Sequence, residues 1–156
     1  MKDISFLEKN EKFNFRVAAI IFDDDRSHIL IHKKIYNDFW MLPGGKVQFG
    51  EDTLHGIKRE IDEEIGLKGD YKLAYVCENF FKLQGINYHE ICMFYYMIAC
   101  KKISMEQFID SKESNDQVFK WISKNNIKKY NIEPAEVINQ IDKSDIVKNI
   151  IIRRKK

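Results

Sequence analysis

Apolar residues fall into a few blocks along the chain, and polar or glycine-containing stretches separate them. Phe15 to Phe22 is an apolar, β-rich run, Asp23-Asp24-Asp25-Arg26-Ser27 is a polar turn, and His28 to His32 resumes as a strand. Together they predict a β-hairpin. Trp40 to Gly45 reads as a loop in which Pro43 and two glycines permit an unusual backbone path. Tyr71–Phe81 and Tyr88–Cys100 are long, aromatic and β-branched, with Gln84-Gly85 as the turn between them. Val118–Ile122 predicts a short strand. Ser123–Tyr130 and Pro134–Ile141 predict helices, Pro134 suiting a first helical turn. Ile146–Ile152 is a last apolar run with the look of an edge strand. Strands, a helix, strands again and then helices give an α/β class with a mixed sheet flanked by helices.

Residues 52–65 carry the helical period. Leu54, Ile57, Ile61 and Ile65 line one stripe within about 80° of arc. Asp52 or Thr53 is placed to cap the start and Gly66 to stop the end. Glu60, Glu63 and Glu64 stand three and four positions apart, roughly 100° from that stripe. Like charges at such offsets weaken an isolated helix, so a cation is expected against this face. Oxygen-seeking divalent ions suit it, with the three glutamates as direct ligands. Gly56 falls on the acidic side, where a missing side chain leaves room for a ligand.

Composition narrows the class further. The 156 residues suit one domain, 1–156, large enough to bury roughly 70% of its unfolded surface without disulfides. A net charge of +2 gives no global electrostatic case for nucleic acid or an anionic membrane. The basic end, Arg153-Arg154-Lys155-Lys156, reads as a solubilising tail more than a phosphate contact. Cys77, Cys92 and Cys100 form no CxxC pair, and Cys92 and Cys100 read as buried small hydrophobes. A reducing compartment follows. With no apolar leader and no run long enough to span a membrane, a cytoplasmic protein is expected.

Residues 45–67 carry the sharpest signal: Gly45, Glu51, Arg59, Glu60, Ile61, Glu63, Glu64, Gly66 and Leu67. These positions match, without exception, the signature of the Nudix hydrolases: Gly, five residues, Glu, seven residues, Arg-Glu, an aliphatic, any residue, Glu-Glu, any residue, Gly, an aliphatic. Chance would produce such a match at one start position about once in a billion or less. An exposed Glu-rich helix explains one or two of the acids but not both glycines, Glu51 and Arg59 together. The hairpin, the Trp-x-Leu-Pro-Gly-Gly entry and the strands after the helix extend the resemblance over most of the chain. It implies a Nudix-type α/β/α sandwich with a mixed β-sheet, the motif helix carrying the metal ligands. It also implies Mg²⁺- or Mn²⁺-dependent hydrolysis of a nucleoside diphosphate linked to another group.

The same resemblance suggests roles. Glu60 and Glu64 are its strongest metal ligands, Gly45 adds a backbone carbonyl, and Glu51 acts through water or supports the helix. Arg59 braces a motif carboxylate, for which its planar donor fork is suited. The general base is open: Glu90 follows Tyr88-His89 in a Tyr-His-Glu-Ile stretch similar to a subset of bacterial Nudix proteins, and Glu78, Glu113 and Asp116 are other candidates. Gln48, and Gln117-Val118 ahead of Trp121, depart from common family patterns. Arg16 is a candidate phosphate contact, and Phe39, Phe80, Phe81 and Tyr88 are candidate stacking partners for a base. His28, His32, His55 and His89 show no metal spacing. A homodimer is a further expectation, since many relatives pair through sheet edges. Removal of a 5′ diphosphate from RNA and idle nucleotide sensing stay open as alternatives. The small net charge counts against the first and the intact motif acids against the second.

Overall fold

A computed structural model describes residues 2–141 and 146–154; Lys155 and Lys156 of the basic end lie outside them. In chain order the elements are β1 (Ser5–Glu8), β2 (Glu11–Phe22), β3 (His28–Lys34), β4 (Trp40–Met41), β5 (Gly44–Lys46), α1 (Thr53–Glu64), β6 (Gly69–Leu83), β7 (Ile86–Ala99), β8 (Gln107–Asp110), β9 (Gln117–Ser123), β10 (Ile132–Glu133), α2 (Ala135–Ile138) and β11 (Lys148–Arg153). A 3₁₀ segment, Lys124–Lys129, joins β9 to β10. The sheet runs β10-β4-β3-β2-β7-β6-β11, with β1 and β5 also on β2 and β9 carrying β8 beside β3. β2 with β7, β6 with β11 and β4 with β10 are parallel, and the rest are antiparallel, so the sheet is mixed.

Alternation along β2 builds two cores. Val17, Ala19 and Ile21 pack with Ile57 and Ile61 of α1. Ala18, Ile20 and Phe22 face the other way and pack with Val137 of α2 and with Ile141. One strand thus supplies both cores, as a period of two requires. The result is an α/β/α sandwich. A register shift at Leu73/Tyr75 places Ala74 and Tyr75 together in the second core, the effect of one extra residue in a bulged strand. The β6–β7 turn is two residues, Gln84 (φ 50°) and Gly85 (φ 80°), both left-handed as a primed turn needs.

The feature that shapes the site is a fork. β2 pairs with β5 through Arg16–Ala18 and with β3 through Ile21–Phe22. β4 lies on β3 while β5 lies on β2, so the intervening Leu42-Pro43 crosses from one to the other. α1 then starts at Asp52, whose carboxylate accepts from the His55 amide at 2.9 Å, and stops before Gly66 at φ +68°.

Several expectations need correction. The Trp40–Gly45 loop holds the short strands β4 and β5 at its ends. The helix expected over Ser123–Tyr130 is a 3₁₀ segment capped by the Ser123 side chain. The one expected over Pro134–Ile141 shrinks to Ala135–Ile138, with Pro134 as its N-cap residue. β1 and β8 have too few apolar residues to announce themselves. Cys77 and Cys92 are buried but Cys100 is exposed, because β7 has ended one residue earlier. Among the described residues no helix is long and apolar enough to cross a membrane.

Candidate functional site

α1 is pinned by Ile57 and Ile61, both fully buried, and this fixes its acidic side against the loop that precedes it. Arg59 is the brace. Its Nε and Nη2 donate to the two oxygens of Glu51 at 3.1 and 2.7 Å, and Nη2 also reaches the Lys46 carbonyl at 3.0 Å. Nη1 donates to Glu60 Oε1 at 2.7 Å and Glu63 Oε2 at 3.3 Å. Glu51 Oε1 further accepts from the Gln48 amide at 2.8 Å. This forked geometry suits a guanidinium and orients carboxylates. The hydrogen bonds from Arg59 hold the Glu51 carboxyl below its usual range. Gly56 leaves no ligand space, contrary to expectation: it is buried, and Glu51 Oε1 and the Val17 methyl occupy the volume beside it.

Glu60 and Glu64 are in a different state. The Glu60 carboxylate fills the place where a side chain at Gly45 would stand, so a larger residue there would displace it. Burial pushes the Glu60 carboxyl up in spite of its bond to Arg59. Glu64 is 4% exposed, and its Oε2 is buried with no hydrogen-bond partner among the described residues. Burial, and then the charges of Glu60 and Glu113, push it up to about 8, against weaker pulls from Arg16 and Lys34. A buried carboxylate without donors is unfavourable. An oxygen-seeking cation beside Glu60 and Glu64 removes that penalty, so the donor set fits a hard divalent ion. Glu63, with a 48% exposed side chain, sits at the rim.

The loop after β8 closes over this end of the helix. The Lys112 amide donates to the Glu64 carbonyl at 2.8 Å, which brings Glu113 within electrostatic reach of Glu60 and Glu64. Asp116 is drawn away to Lys34, at 3.2 Å. Across the fork, the Arg16 side chain makes no hydrogen bond or ion pair among the described residues, yet its charge acts on Glu64, His32 and Cys92. Lys34 and Glu113 thus join the site only through tertiary contacts. Lys34 carried no sequence signal, since a lysine at a strand end is ordinary.

Other expected residues lie apart. Glu90 is on β7, on the face opposite α1, and Asn14 Nδ2 donates to its Oε2 at 2.7 Å. Phe80 stacks on His89 at 4.3 Å and carries Arg153 over its ring, also at 4.3 Å. Phe81 and Tyr88 stack on each other at 4.6 Å, and Phe39 is half-buried between β3 and β4. Among the described residues, the three acids whose oxygens converge within 4.8 Å are Asp23, Asp24 and Asp25, not the helix glutamates. That cluster is the hairpin turn. Asp23 is fully buried and accepts from Ser27 Oγ and from the amides of His28 and Ile103.

Comparison with known proteins identifies the family. The NUDIX domain family matches residues 12–141. An 8-oxo-dGTP diphosphatase of Buchnera aphidicola subsp. Schizaphis graminum is 31% identical over 136 residues, 85% of this chain and 95% of that protein. An RNA pyrophosphohydrolase of Ruthia magnifica is 38% identical over 54 residues, 35% of this chain and only 30% of that protein. Among solved structures, a MutT protein from Bacillus halodurans superposes with a TM-score of 0.65 at 19% identity, covering 88% of this chain and 89% of its own. A MutT structure from work on Aliivibrio salmonicida and Vibrio cholerae gives 0.56 at 26% identity, covering 82% and 95%.

Proposed function

This chain belongs to the Nudix hydrolase family, and from that premise we propose a Mg²⁺- or Mn²⁺-dependent pyrophosphohydrolase. Its substrate is a nucleoside diphosphate bearing a further group, a nucleoside triphosphate first among them. One observation carries the reading: Glu64 is buried beside Glu60 with an oxygen that no donor among the described residues satisfies. Glu60, Glu64 and the rim residue Glu63 would hold the metal, with the Gly45 carbonyl next to them. Glu51, locked to Arg59 and the Gln48 amide, supports them from outside. When bound, a divalent ion neutralises diphosphate charge and lowers the pKa of water.

The chain's own residues supply the rest. Arg59 fixes the Glu60 rotamer, so the carboxylate needs no reordering when substrate arrives. Arg16, uncompensated at the fork, takes a phosphate oxygen and orients the diphosphate. Glu113 is the loop acid whose field reaches both Glu60 and Glu64. It accepts the proton of the attacking water as the new P–O bond forms and the bridging P–O bond breaks. Glu90, whose carboxylate is held by Asn14 Nδ2, is left without a part in that proton transfer.

The test is a Mg²⁺-supplemented panel of nucleoside triphosphates, nucleotide sugars, ADP-ribose, dinucleoside polyphosphates and a 5′-triphosphorylated RNA. Products are identified in ¹⁸O-labelled water to show which phosphorus is attacked. Hydrolysis of at least one member, lost in Glu60→Gln and Glu64→Gln, is expected. Silence across the whole panel sinks the reading.

A further inference from the structure

The β8–β9 loop is tied down on two sides. On the helix side, the Lys112 amide donates to the Glu64 carbonyl at 2.8 Å. The Lys112 side chain lies over Gly66, in the space a Cβ there would take, so its ammonium faces the C-terminal end of α1. On the strand side, β9 pairs with β3 so that Gln117 stands opposite Lys34. That register brings Asp116 beside Lys34 and Ile35. The Ile35 amide donates to the Asp116 carbonyl at 2.9 Å. Lys34 Nζ donates to both carboxylate oxygens of Asp116, at 3.2 and 3.4 Å.

Glu113 sits between the two ties. Its amide donates to Ser111 Oγ at 3.2 Å, and the Ser114 amide donates to the same oxygen at 3.3 Å. Ser114 Oγ in turn donates to the Asp116 carboxylate. The Glu113 side chain is exposed and makes no hydrogen bond or ion pair among the described residues. Its charge nevertheless acts on Glu60 and Glu64. Like charges repel, so a loop that carries an acid toward two others needs an anchor. Asp116 supplies it, because Lys34 holds its carboxylate and Ile35 its carbonyl. An exposed ion pair adds little to overall stability. Here it acts together with a backbone bond at the same residue, and what it fixes is a place.

We propose that the Lys34–Asp116 pair positions Glu113. It holds the loop against β3, so that the acid stands near the reacting water before substrate arrives. Lys34 acts through Asp116 and touches no substrate; it is a positioning residue. The inference rests on the reading above, in which Glu113 takes the proton of that water. Misplacing such a group by about an ångström costs up to about a hundredfold in rate.

Two measurements test it. Amide hydrogen exchange of the whole, metal-free chain is followed by NMR in the wild type, Lys34→Met and Asp116→Asn. Both variants should speed exchange at Lys112 and Ile35 about threefold, the scale of one exposed ion pair, and leave the core amide of Ile61 unmoved. Hydrolysis of the panel substrate that turns over fastest is then compared in these variants, in Lys34→Arg, in Glu113→Gln and in Glu113→Gln combined with Lys34→Met. Lys34→Met and Asp116→Asn should each lower kcat about tenfold with KM within about twofold, and Lys34→Arg should stay within about threefold of the wild type. In the Glu113→Gln background, Lys34→Met should cost less than about twofold more, since its effect passes through Glu113. A raised KM at unchanged kcat in Lys34→Met marks a direct substrate contact and overturns the inference. So does an equal loss of kcat in both backgrounds, or exchange at Lys112 that neither variant moves. Wild-type kcat in Glu113→Gln removes Glu113 as the base, and the inference falls with it. A large loss in Glu113→Gln without coupling to Lys34 keeps the base and overturns only the positioning pair.

Discussion

Two acidic clusters in this molecule look alike in sequence and behave as opposites in space. Asp23, Asp24 and Asp25 bring their oxygens together in the β2–β3 turn, and the buried member is fully answered. Asp23 accepts from Ser27 Oγ at 3.0 Å, the His28 amide at 2.8 Å and the Ile103 amide at 3.2 Å. The α1 glutamates converge less tightly, yet Glu64 is buried with an oxygen that nothing among the described residues answers. The lesson lies in donor accounting. A carboxylate that accepts three protein hydrogen bonds is a structural anchor. One held in apolar surroundings with like charges beside it is poised for a cation. Proximity of acids alone ranks the two clusters in the wrong order.

The sharpest way to break this contrast is to neutralise the helix acids. Glu60→Gln and Glu64→Gln should each lower Mg²⁺-dependent hydrolysis by about a thousandfold, the several kcal/mol that metal-assisted charge neutralisation supplies. Initial rates on whichever panel substrate turns over fastest will show it. Residual activity within tenfold of the wild type would remove those residues from the site.

Next in size, Asp23→Ala should destabilise the fold by about 2–4 kcal/mol, because it strands the amides of His28 and Ile103. Urea unfolding measures this. The surviving folded protein should keep its metal dependence, since the turn takes no part in hydrolysis.

Glu64→Gln should act in the reverse direction on stability. The Glu64 carboxyl is raised to about 8 from an ordinary value near 4.5, chiefly by burial. Below about 4.5 it is protonated whether the chain is folded or not. As pH rises toward 8 the unfolded chain releases that proton first, so metal-free stability declines across this window. Glu64→Gln removes the decline, and at pH 8 the metal-free variant should be more stable than the wild type by on the order of a few kcal/mol. Thermal melts at pH 5 and pH 8, with and without Mg²⁺, separate the outcomes: Mg²⁺ should restore the wild type at pH 8 and leave the variant unmoved. A wild type equally stable at both pH values without metal contradicts the picture.

The smallest effect is expected at the brace. Arg59→Lys keeps the charge but loses the fork that spans Glu51, Glu60 and Glu63. Activity should fall about tenfold, and the Mg²⁺ concentration for half-maximal rate should rise.

Much of this was readable from the chain. The β2–β3 hairpin followed from an apolar run interrupted by Asp23–Ser27, and β6–β7 from two long strands around Gln84-Gly85. α1 followed from its stripe, with Asp52 and Gly66 at its ends. These are local patterns, set by neighbours within a few residues. β1 and β8 escaped notice because four mixed residues carry no period. The bulge at Ala74 escaped because an inserted residue is visible only against a partner strand. Cys100 was misjudged because the end of β7, not hydrophobicity, decides its exposure. At the site, the motif named Glu51, Arg59, Glu60, Glu63 and Glu64. The helical period gave Gly56 a space that Glu51 fills, and the motif was silent on Lys34.

By itself, the sequence determined the helix, its acids, its caps and the family, because side-chain period and motif spacing are properties of nearby residues. Only the tertiary structure decided which acid is answered and which is not. Whether Asp23 meets the Ile103 amide, and whether Glu64 meets nothing, depends on chain segments dozens of residues away. The same holds for Lys34 and Asp116, which become neighbours only when β9 pairs with β3. Desolvation and hydrogen-bond satisfaction are three-dimensional quantities, and they separate an anchoring acid from a reactive one.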